Sequence, residues 1–334
     1  MKQLLAYCLS IILCVSFTGC MENYLDLYPE DKITSASFPE NESDIKLLLN
    51  GVYAQLREKE VYNQGLFGFG ITDGATPNAF NWGTDEVFNK LGAGRLSSSD
   101  GGVVTYRWKR CYEIISRANY LLACMDLVDL SEEAKAKYSG ETHFLRGLAY
   151  SVLAETYGGV PIILTNISTE EARSLKRASL EETWQQALDD YEVAITNLGV
   201  DAPEPGRATK GAALGMKMRA YLYQGKYKEV LSCVEQIDAL KKYGLFHSYE
   251  GLFDPANENN KEVLFDIQYI EGENSQGSYI DQYCGTGTGS WTRGSRYVPT
   301  DDLVAAYETI DGSPVDPENP YENRDPRLGF TAVL

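Results

Sequence analysis

The sequence predicts a mainly α-helical protein, built of paired helices in a repeat-like scaffold, with long irregular loops and little β-structure. Apolar residues recur three and four positions apart over most of residues 40–58 and 104–240, which is the spacing of one face of an α-helix. Two other stretches, about 60–103 and 245–334, are rich in glycine and lack this spacing. The 334 residues are 43% hydrophobic, which is enough for a folded core.

The helices of the first half follow from their apolar stripes. A first helix covers about 43–56 and a second about 108–125, and apolar spacing resumes over 144–153. Ser139 and Gly140 precede this third stripe, and we interpret them as the short polar link of a helical hairpin.

The helices of the second half are marked by caps and turns. Ser179 with Glu182 three residues later forms a capping box, which predicts a helix that ends before Gly199. Small residues on a helix over 213–223, which stops at Gly225, face bulky ones on a partner over 227–237 across a tight Gly-Lys-Tyr turn. This pairing resembles a tetratricopeptide repeat. A strand is predicted over 263–269, followed by irregular chain.

The N-terminus is typical of a bacterial lipoprotein signal peptide. A positive start at Lys2 precedes an apolar run over 4–17 and then Thr18, Gly19 and Cys20. We therefore interpret residues 1–19 as the signal, Cys20 as the lipidated residue and 20–334 as one domain. The alternative is an ordinary secreted protein in which Cys20 has no such role.

The remaining cysteines indicate no metal or redox motif. Of seven cysteines, Cys8 and Cys14 lie in the signal, and no CxxC pair occurs. Burial as small hydrophobic side chains is the favoured role, although an exported location also permits a disulfide. The cysteines concerned are Cys111, Cys124, Cys233 and Cys284.

Composition argues against several classes of function. The net charge of -18 repels nucleic acid and other strongly anionic partners. With two histidines, no zinc site or hydrolytic triad stands out, and no phosphate-binding loop occurs, so neither a metal nor a cofactor is expected. A carboxylate pair for glycoside hydrolysis can be drawn in any chain with 48 acidic residues, so it is uninformative.

The aromatic composition, with 23 tyrosines, favours binding of ligands that have both apolar and polar faces. Two loop tryptophans with polar neighbours are the candidate ligand contacts. Trp82 and Trp291 both lie outside the periodic segments. An aromatic ring beside amide, carboxylate and guanidinium groups suits a sugar, whose apolar face stacks while its hydroxyls are hydrogen-bonded. A packing role in the loop is the alternative for each. The candidate ligand-binding set is Asp73, Asn78, Asn81, Trp82, Tyr283, Trp291 and Arg293.

Other polar and aromatic residues have a structural interpretation. Arg146, Asn119 and Tyr157 lie among apolar residues in helical segments, so we expect them to hydrogen-bond helix ends and turns. Asp325 and Arg327 are expected to form an ion pair at a turn. Trp108 and Trp184 fall at helical spacing and are expected in the core.

Several motifs, in order along the chain, resemble the SusD/RagB family of nutrient-binding outer-membrane lipoproteins. They are Leu-Asp-Leu-Tyr-Pro at 25–29, the Trp-x3-Tyr-x2-Ile-x2-Ala-Asn pattern at 108–119, Gly-Glu-Thr-His-Phe-Leu-Arg-Gly-Leu-Ala-Tyr at 140–150, Tyr-Gly-Gly-Val-Pro at 157–161, Gly-Arg-Ala-Thr-Lys-Gly-Ala-Ala at 206–213 and Arg-Asp-Pro-Arg-Leu at 324–328. In that family the last motif lies well inside the protein, so the C-terminal part of the family domain is expected to be missing here.

The resemblance implies a non-enzymatic function. Such a protein is anchored to the outer membrane facing the exterior, binds an oligosaccharide or polysaccharide, and works beside a TonB-dependent transporter of the SusC type. Family sites are built from loop aromatics with Asn, Asp and Arg. The alternative is an interaction protein that scaffolds or gates the transporter without binding ligand tightly.

Overall fold

The computed structural model describes residues 38–57, 73–81, 90–97, 99–269 and 297–332, with the backbone alone at 81, 103 and 297. The chain divides into residues 1–40 and a compact unit of residues 41–334, to which all the elements below belong. Within the described residues, no helix is both long enough and apolar enough to cross a membrane.

The fold is mostly helical, as predicted. Its helices are α1 (Glu42–Tyr53), α2 (Val103–Cys124), α3 (Glu132–Tyr157), α4 (Thr169–Ser174), α5 (Leu180–Asn197), α6 (Lys210–Tyr223), α7 (Tyr227–Ala239), α8 (Asp301–Ala306) and α9 (Arg327–Thr331). The strands β1 (Ala79–Asn81) and β2 (Tyr297–Pro299) form an antiparallel pair. The short helices α8 and α9 lie where the sequence predicts irregular chain.

The long helices stack in chain order. α1 packs on α2 and α3, α2 on α3, α3 on α5, α5 on α6, and α6 on α7. Helix α3 is central and buries residues on all its sides between Tyr138 and Ala154. The core contains the fully buried side chains of Phe144, Tyr150 and Tyr191.

Side-chain caps define where several helices begin. The Ser179 hydroxyl accepts a hydrogen bond from the Glu182 amide at 3.1 Å, and the Glu182 carboxylate accepts one from the Ser179 amide at 2.7 Å. This reciprocal pair confirms the predicted capping box of α5. Thr209 caps α6 in the same position, accepting from the Ala212 amide at 3.1 Å.

Two further predictions about elements are wrong. Ser139 and Gly140 do not link two helices, because α3 runs through both and the turn of the hairpin lies earlier, before the cap residue Ser131. Gly140 is instead a contact residue, since a Cβ there would lie 3.0 Å from Asn197 and Leu198 side-chain atoms. The segment 263–269 is not a strand, because its apolar side chains pack on helices; the Phe265 and Phe144 ring centroids are 4.9 Å apart.

The cysteines and helical tryptophans behave as core residues. Cys111, Cys124 and Cys233 are free and buried, which confirms their predicted role as small hydrophobic side chains, whereas Cys284 lies outside the described residues. Trp184 is buried. Trp108 packs against the core with its ring edge-on to that of Tyr157, at a centroid distance of 5.2 Å.

Candidate functional site

A short antiparallel ribbon joins the two loop regions that carry the candidate ligand contacts. Ala79 pairs with Pro299, Phe80 with Val298, and Asn81 with Tyr297. The Thr300 amide also donates to the Asn78 carbonyl at 3.1 Å. Chain segments more than two hundred residues apart in sequence are therefore held side by side.

The register of the ribbon brings the ends of the two loops together. One loop begins directly after Asn81, and the other ends directly before Tyr297, and these residues are partners. Asn81 and Tyr297 therefore lie at the same end of the ribbon. Trp82, Tyr283, Trp291 and Arg293, like Cys20, lie outside the described residues, so their roles stay predictions.

The described members of the candidate set lie on the approach to the ribbon. Asp73 begins a 3-10 turn, its carbonyl accepts from the Thr76 hydroxyl at 2.9 Å, and that hydroxyl accepts from the Asn78 amide at 3.1 Å. The residues Asp73 and Asn78 are exposed. Asn81 lies in β1. The turn therefore leaves the Asp73 and Asn78 side chains accessible beside β1.

Phe80 is a further exposed aromatic on the ribbon, with 51% of its surface accessible. Phe80 is not among the residues that the sequence predicts as ligand contacts. Its position two residues before Trp82, in a loop without helical periodicity, is the signal that could have identified it. An exposed aromatic face can stack on the apolar face of a ligand.

An ion pair joins the two ends of the segment from Lys90 to Asp100. The Lys90 ammonium lies 2.8 Å from the Asp100 carboxylate, which also accepts from the Ser97 amide at 2.7 Å. Hydrogen bonds from Lys90 and then Ser97 lower the pKa of Asp100 to about 2. Gly92 lies against Gly74, since a Cβ on Gly92 would be 3.3 Å from the Gly74 carbonyl oxygen. The segment therefore packs against the turn that begins at Asp73.

Arg146 has a structural role, as predicted, but its partner is Asp190 in a buried ion pair at the centre of the helices and not a helix end. The Arg146 guanidinium donates to the Asp190 carboxylate at 2.7 to 3.2 Å and to the Asn119 side-chain oxygen at 2.8 Å. The Asn119 amide in turn donates to the carbonyls of Ile163 and Thr165. Tyr157 donates its hydroxyl to the Val104 carbonyl. Arg146 therefore binds side chains within α5 and α2, whereas Asn119 binds the chain that follows α3 and Tyr157 binds the start of α2.

A second buried network lies where α1 meets the turn before α6. The Tyr53 hydroxyl donates to the Glu141 carboxylate at 2.7 Å and accepts from the Ala208 amide at 2.9 Å. The Arg207 guanidinium lies over the Tyr53 ring, 4.9 Å from its centroid. Burial raises the pKa of Glu141, which the Tyr53 hydrogen bond and Arg207 oppose.

Two cavities of about 310 Å³ and 360 Å³ border this network, and both are lined by the turn of residues 204–207. No member of the candidate set that the structure describes lines either cavity. In each, the acidic Glu204 is already paired with Lys46 and Arg207. Across the described residues, no group of three or more His, Cys, Asp or Glu side chains could hold a metal ion.

The Arg-Asp-Pro-Arg-Leu motif at 324–328 contacts the end of α8 and contains the start of α9. The buried Arg324 guanidinium donates to the carbonyls of Pro320, Val304 and Tyr307 at 2.5 to 2.6 Å. Asp325 and Arg327 form the expected ion pair, with Arg327 Nε 2.9 and 3.0 Å from the two carboxylate oxygens. This motif is therefore structural in the described chain.

Comparison with known proteins assigns the helical scaffold. A SusD-like protein from Bacteroides fragilis matches with 25% identity and a TM-score of 0.74, covering 92% of this chain and 62% of that structure. A SusD-like carbohydrate-binding protein from the same species matches with 28% identity and a TM-score of 0.76, covering 86% of this chain and 59% of that structure.

Curated relatives and a family profile agree with the structures. A SusD-like protein from Formosa agariphila is 26% identical over 89% of this chain, and one from Bacteroides ovatus is 23% identical over 76%. The chain spans 58% and 48% of the lengths of these two relatives. The SusD-like family described as starch-binding and associating with the outer membrane matches residues 23–222. By its fold, its motifs and this match, the chain belongs to the SusD-like family.

Proposed function

We propose that this protein is a non-enzymatic lipoprotein that binds an oligosaccharide or polysaccharide at the cell surface and delivers it to a TonB-dependent transporter of the SusC type. The family description names starch binding and the outer membrane. The similar protein from Bacteroides fragilis with 28% identity is named as carbohydrate-binding. Cys20 is the proposed point of attachment to the outer membrane, with the protein facing the exterior.

The observation that carries the proposal is the pairing of β1 with β2. In this pairing Asn81, the residue before Trp82 in the sequence, lies opposite Tyr297, and Phe80 of the same strand is exposed. Loop aromatics would stack on the apolar faces of the sugar rings, while Asp73, Asn78 and Arg293 would bind hydroxyls. Asn81 and Tyr283 complete the proposed site.

Such a site needs no reaction step. Stacking and hydrogen bonding hold the ligand with modest affinity, which allows release to a partner. A delivery protein must release its ligand quickly. Affinity differences between related complexes lie mainly in the dissociation rate, so a modest affinity corresponds to fast release.

The direct test is calorimetry of the chain from residue 21, which retains the whole unit 41–334, against neutral and acidic glycans. We expect a Kd of about 1 μM to 1 mM for a neutral glycan, lost in Trp82→Ala or Trp291→Ala. Leu127→Ala is the control, because Leu127 is an exposed apolar side chain remote from these loops in sequence. Equal binding by all the variants would contradict the proposed site.

The anchor is tested separately. Cys20→Ala should move the full-length protein from the membrane fraction to the soluble periplasmic or secreted fraction, because the acylated residue is lost. Unchanged membrane association would contradict attachment through Cys20.

A scaffolding role is the second candidate, and the outer face of α7 favours it. Tyr227, Leu231 and Val234 are exposed apolar residues on this last long helix of the stack. Exposed apolar patches mark interaction surfaces. Full transport by cells that carry the Trp82→Ala/Trp291→Ala variant, with none in the deletion strain, would favour scaffolding over ligand delivery.

A further inference from the structure

Three aromatic side chains, which belong neither to β1 and β2 nor to the candidate ligand-binding set, form an exposed cluster. The ring centroids of Tyr249 and Phe253 are 5.9 Å apart and T-shaped, and those of Tyr249 and Phe330 are 6.3 Å apart and tilted. Their exposed fractions are 46% for Tyr249, 74% for Phe253 and 52% for Phe330. Phenylalanine is usually buried, so two exposed rings in contact with one tyrosine are unusual.

The cluster rests on a hydrogen-bonded support. Tyr249 and Phe253 flank the start and end of a 3-10 turn, in which the Ser248 hydroxyl accepts from the Gly251 amide at 3.0 Å. The Asn257 side chain donates to the Gly251 carbonyl at 2.8 Å. Bonds of this kind hold the two rings in place before a ligand arrives, which lowers the entropic cost of binding.

The third ring is held on α9. Leu328 of this helix is buried, and the Thr331 hydroxyl accepts from the Tyr307 hydroxyl at 2.9 Å. Leu328 and Thr331 therefore anchor α9, and the ring of Phe330 remains available to a ligand.

Two groups near the rings can form hydrogen bonds with a ligand. Arg327 lies close enough to Tyr249 and Tyr307 to interact with them electrostatically. Its Nε and Nη2 donate to Asp325, whereas Nη1 has no partner among the described residues, and neither does the Tyr249 hydroxyl. Asp325 balances the charge of Arg327, and Nη1 of Arg327 can still donate a hydrogen bond.

We infer that Tyr249, Phe253, Phe330 and Arg327 form a second carbohydrate-binding platform, which takes a neutral polysaccharide and acts in addition to the loops at the ribbon. The inference rests on the proposed function, because it assigns a second contact to the same class of ligand. The T-shaped and tilted rings present faces in different directions, which suits successive sugar rings of one chain better than a single flat apolar surface. Two contacts on one polymer raise the overall affinity without either being strong.

The test is affinity electrophoresis of the chain from residue 21 in native gels that contain soluble starch or laminarin. For the polysaccharide that retards the wild type, Phe253→Ala/Phe330→Ala should weaken binding about threefold to tenfold. Leu127→Ala should bind like the wild type, because Leu127 is 73% exposed and matches Phe253 in accessibility. In Trp82→Ala, in which the loop site no longer binds, the platform alone should still retard the protein weakly in the polymer gel, and adding the two phenylalanine substitutions should abolish this retardation.

Different outcomes separate the platform from the proposed function. If the wild type is retarded and Phe253→Ala/Phe330→Ala is retarded equally, the platform is excluded while carbohydrate binding stands. The platform is also excluded if the double variant changes only the oligomeric state in size-exclusion chromatography. If neither polysaccharide retards the wild type, the proposed function for these ligands fails and the platform fails with it.

Discussion

Arg146 connects three helices and the segment that follows α3. Its guanidinium reaches Asp190 on α5 and Asn119 on α2, and Asn119 continues to the carbonyls of Ile163 and Thr165. The side chains of Arg146 and Asp190 are only 7% and 2% exposed. A buried ion pair of this kind is costly to break, because the remaining charge has no solvent.

Replacing the arginine should therefore destabilise the fold strongly. Arg146→Met leaves the Asp190 carboxylate buried without a cation, and we expect a loss of about 3–5 kcal/mol in the free energy of unfolding. Urea denaturation measures it. The double variant Arg146→Met/Asp190→Leu should lose less than Arg146→Met alone, since no uncompensated charge remains. An equal or greater loss would contradict this account.

His143 predicts a pH dependence of stability. Burial lowers the pKa of His143 in the folded state, although its Nδ1–H donates to the Ser139 carbonyl at 2.8 Å. Near pH 6 the unfolded chain therefore binds more protons at this site than the folded chain does. The contribution of His143 to the free energy of unfolding falls as the pH drops through about 6.5, the ordinary pKa of histidine.

The measurement is the free energy of unfolding between pH 7 and pH 5. His143→Gln should show a smaller loss than the wild type over this range, because glutamine does not titrate. His247→Gln is the control, since His247 is exposed, and it should follow the wild type. Parallel curves for His143→Gln and the wild type would contradict the assignment.

At the scale of elements, two glycines explain how α3 ends. Gly158 has φ of +75°, a backbone conformation that other residues rarely adopt. At Gly159, a Cβ would lie 2.0 Å from the Ala178 carbonyl oxygen. The Val160 carbonyl accepts from the Ala178 amide at 3.0 Å, and this bond draws the two segments together. The close approach connects the end of α3 to the start of α5.

A methyl group at this contact should separate the segments. We expect Gly159→Ala to lower the free energy of unfolding by about 1–3 kcal/mol or more, since overpacking forces the backbone to move. Gly329→Ala should change it by less than about 0.5 kcal/mol, because nothing lies within 4 Å of a Cβ there. Thermal unfolding of the two variants compares them, and equal melting temperatures would contradict the steric explanation.

The sequence predicted helices better than it predicted the ends and contacts of some of them. α5, α6 and α7 were found from apolar spacing, caps and the Gly225 turn, which are local signals. Gly140 was misread because glycine in a helix is usually a local break, whereas here it makes room for α5. The apolar run 263–269 resembles a strand, but contact with a helix face satisfies the same pattern.

At the scale of the whole molecule, Thr300 joins the ribbon to the following helix. Its hydroxyl donates to the Pro77 carbonyl, its amide donates to the Asn78 carbonyl, and its hydroxyl accepts from the Leu303 amide at the start of α8. One residue thus holds both loop regions together.

Removing the hydroxyl should weaken ligand binding through this connection. Thr300→Val should cost about 0.5–2 kcal/mol of stability, as loss of a helix cap does, and should also reduce glycan affinity in calorimetry. Ser168→Ala removes the cap of α4 and should cost similar stability with unchanged affinity. Equal affinities in the two variants would show that the ribbon does not position the loops.

The sequence by itself determined the helical class, the caps, the family motifs and the acidic surface. These depend on residues close together in the chain or on composition, so local periodicity and counting reveal them. Tertiary structure alone decided that Asn81 pairs with Tyr297, that Arg146 binds Asp190, and that Tyr249 contacts Phe330. Each of these contacts joins residues far apart in the chain, and their approach is set by how the helices pack, which no local pattern encodes.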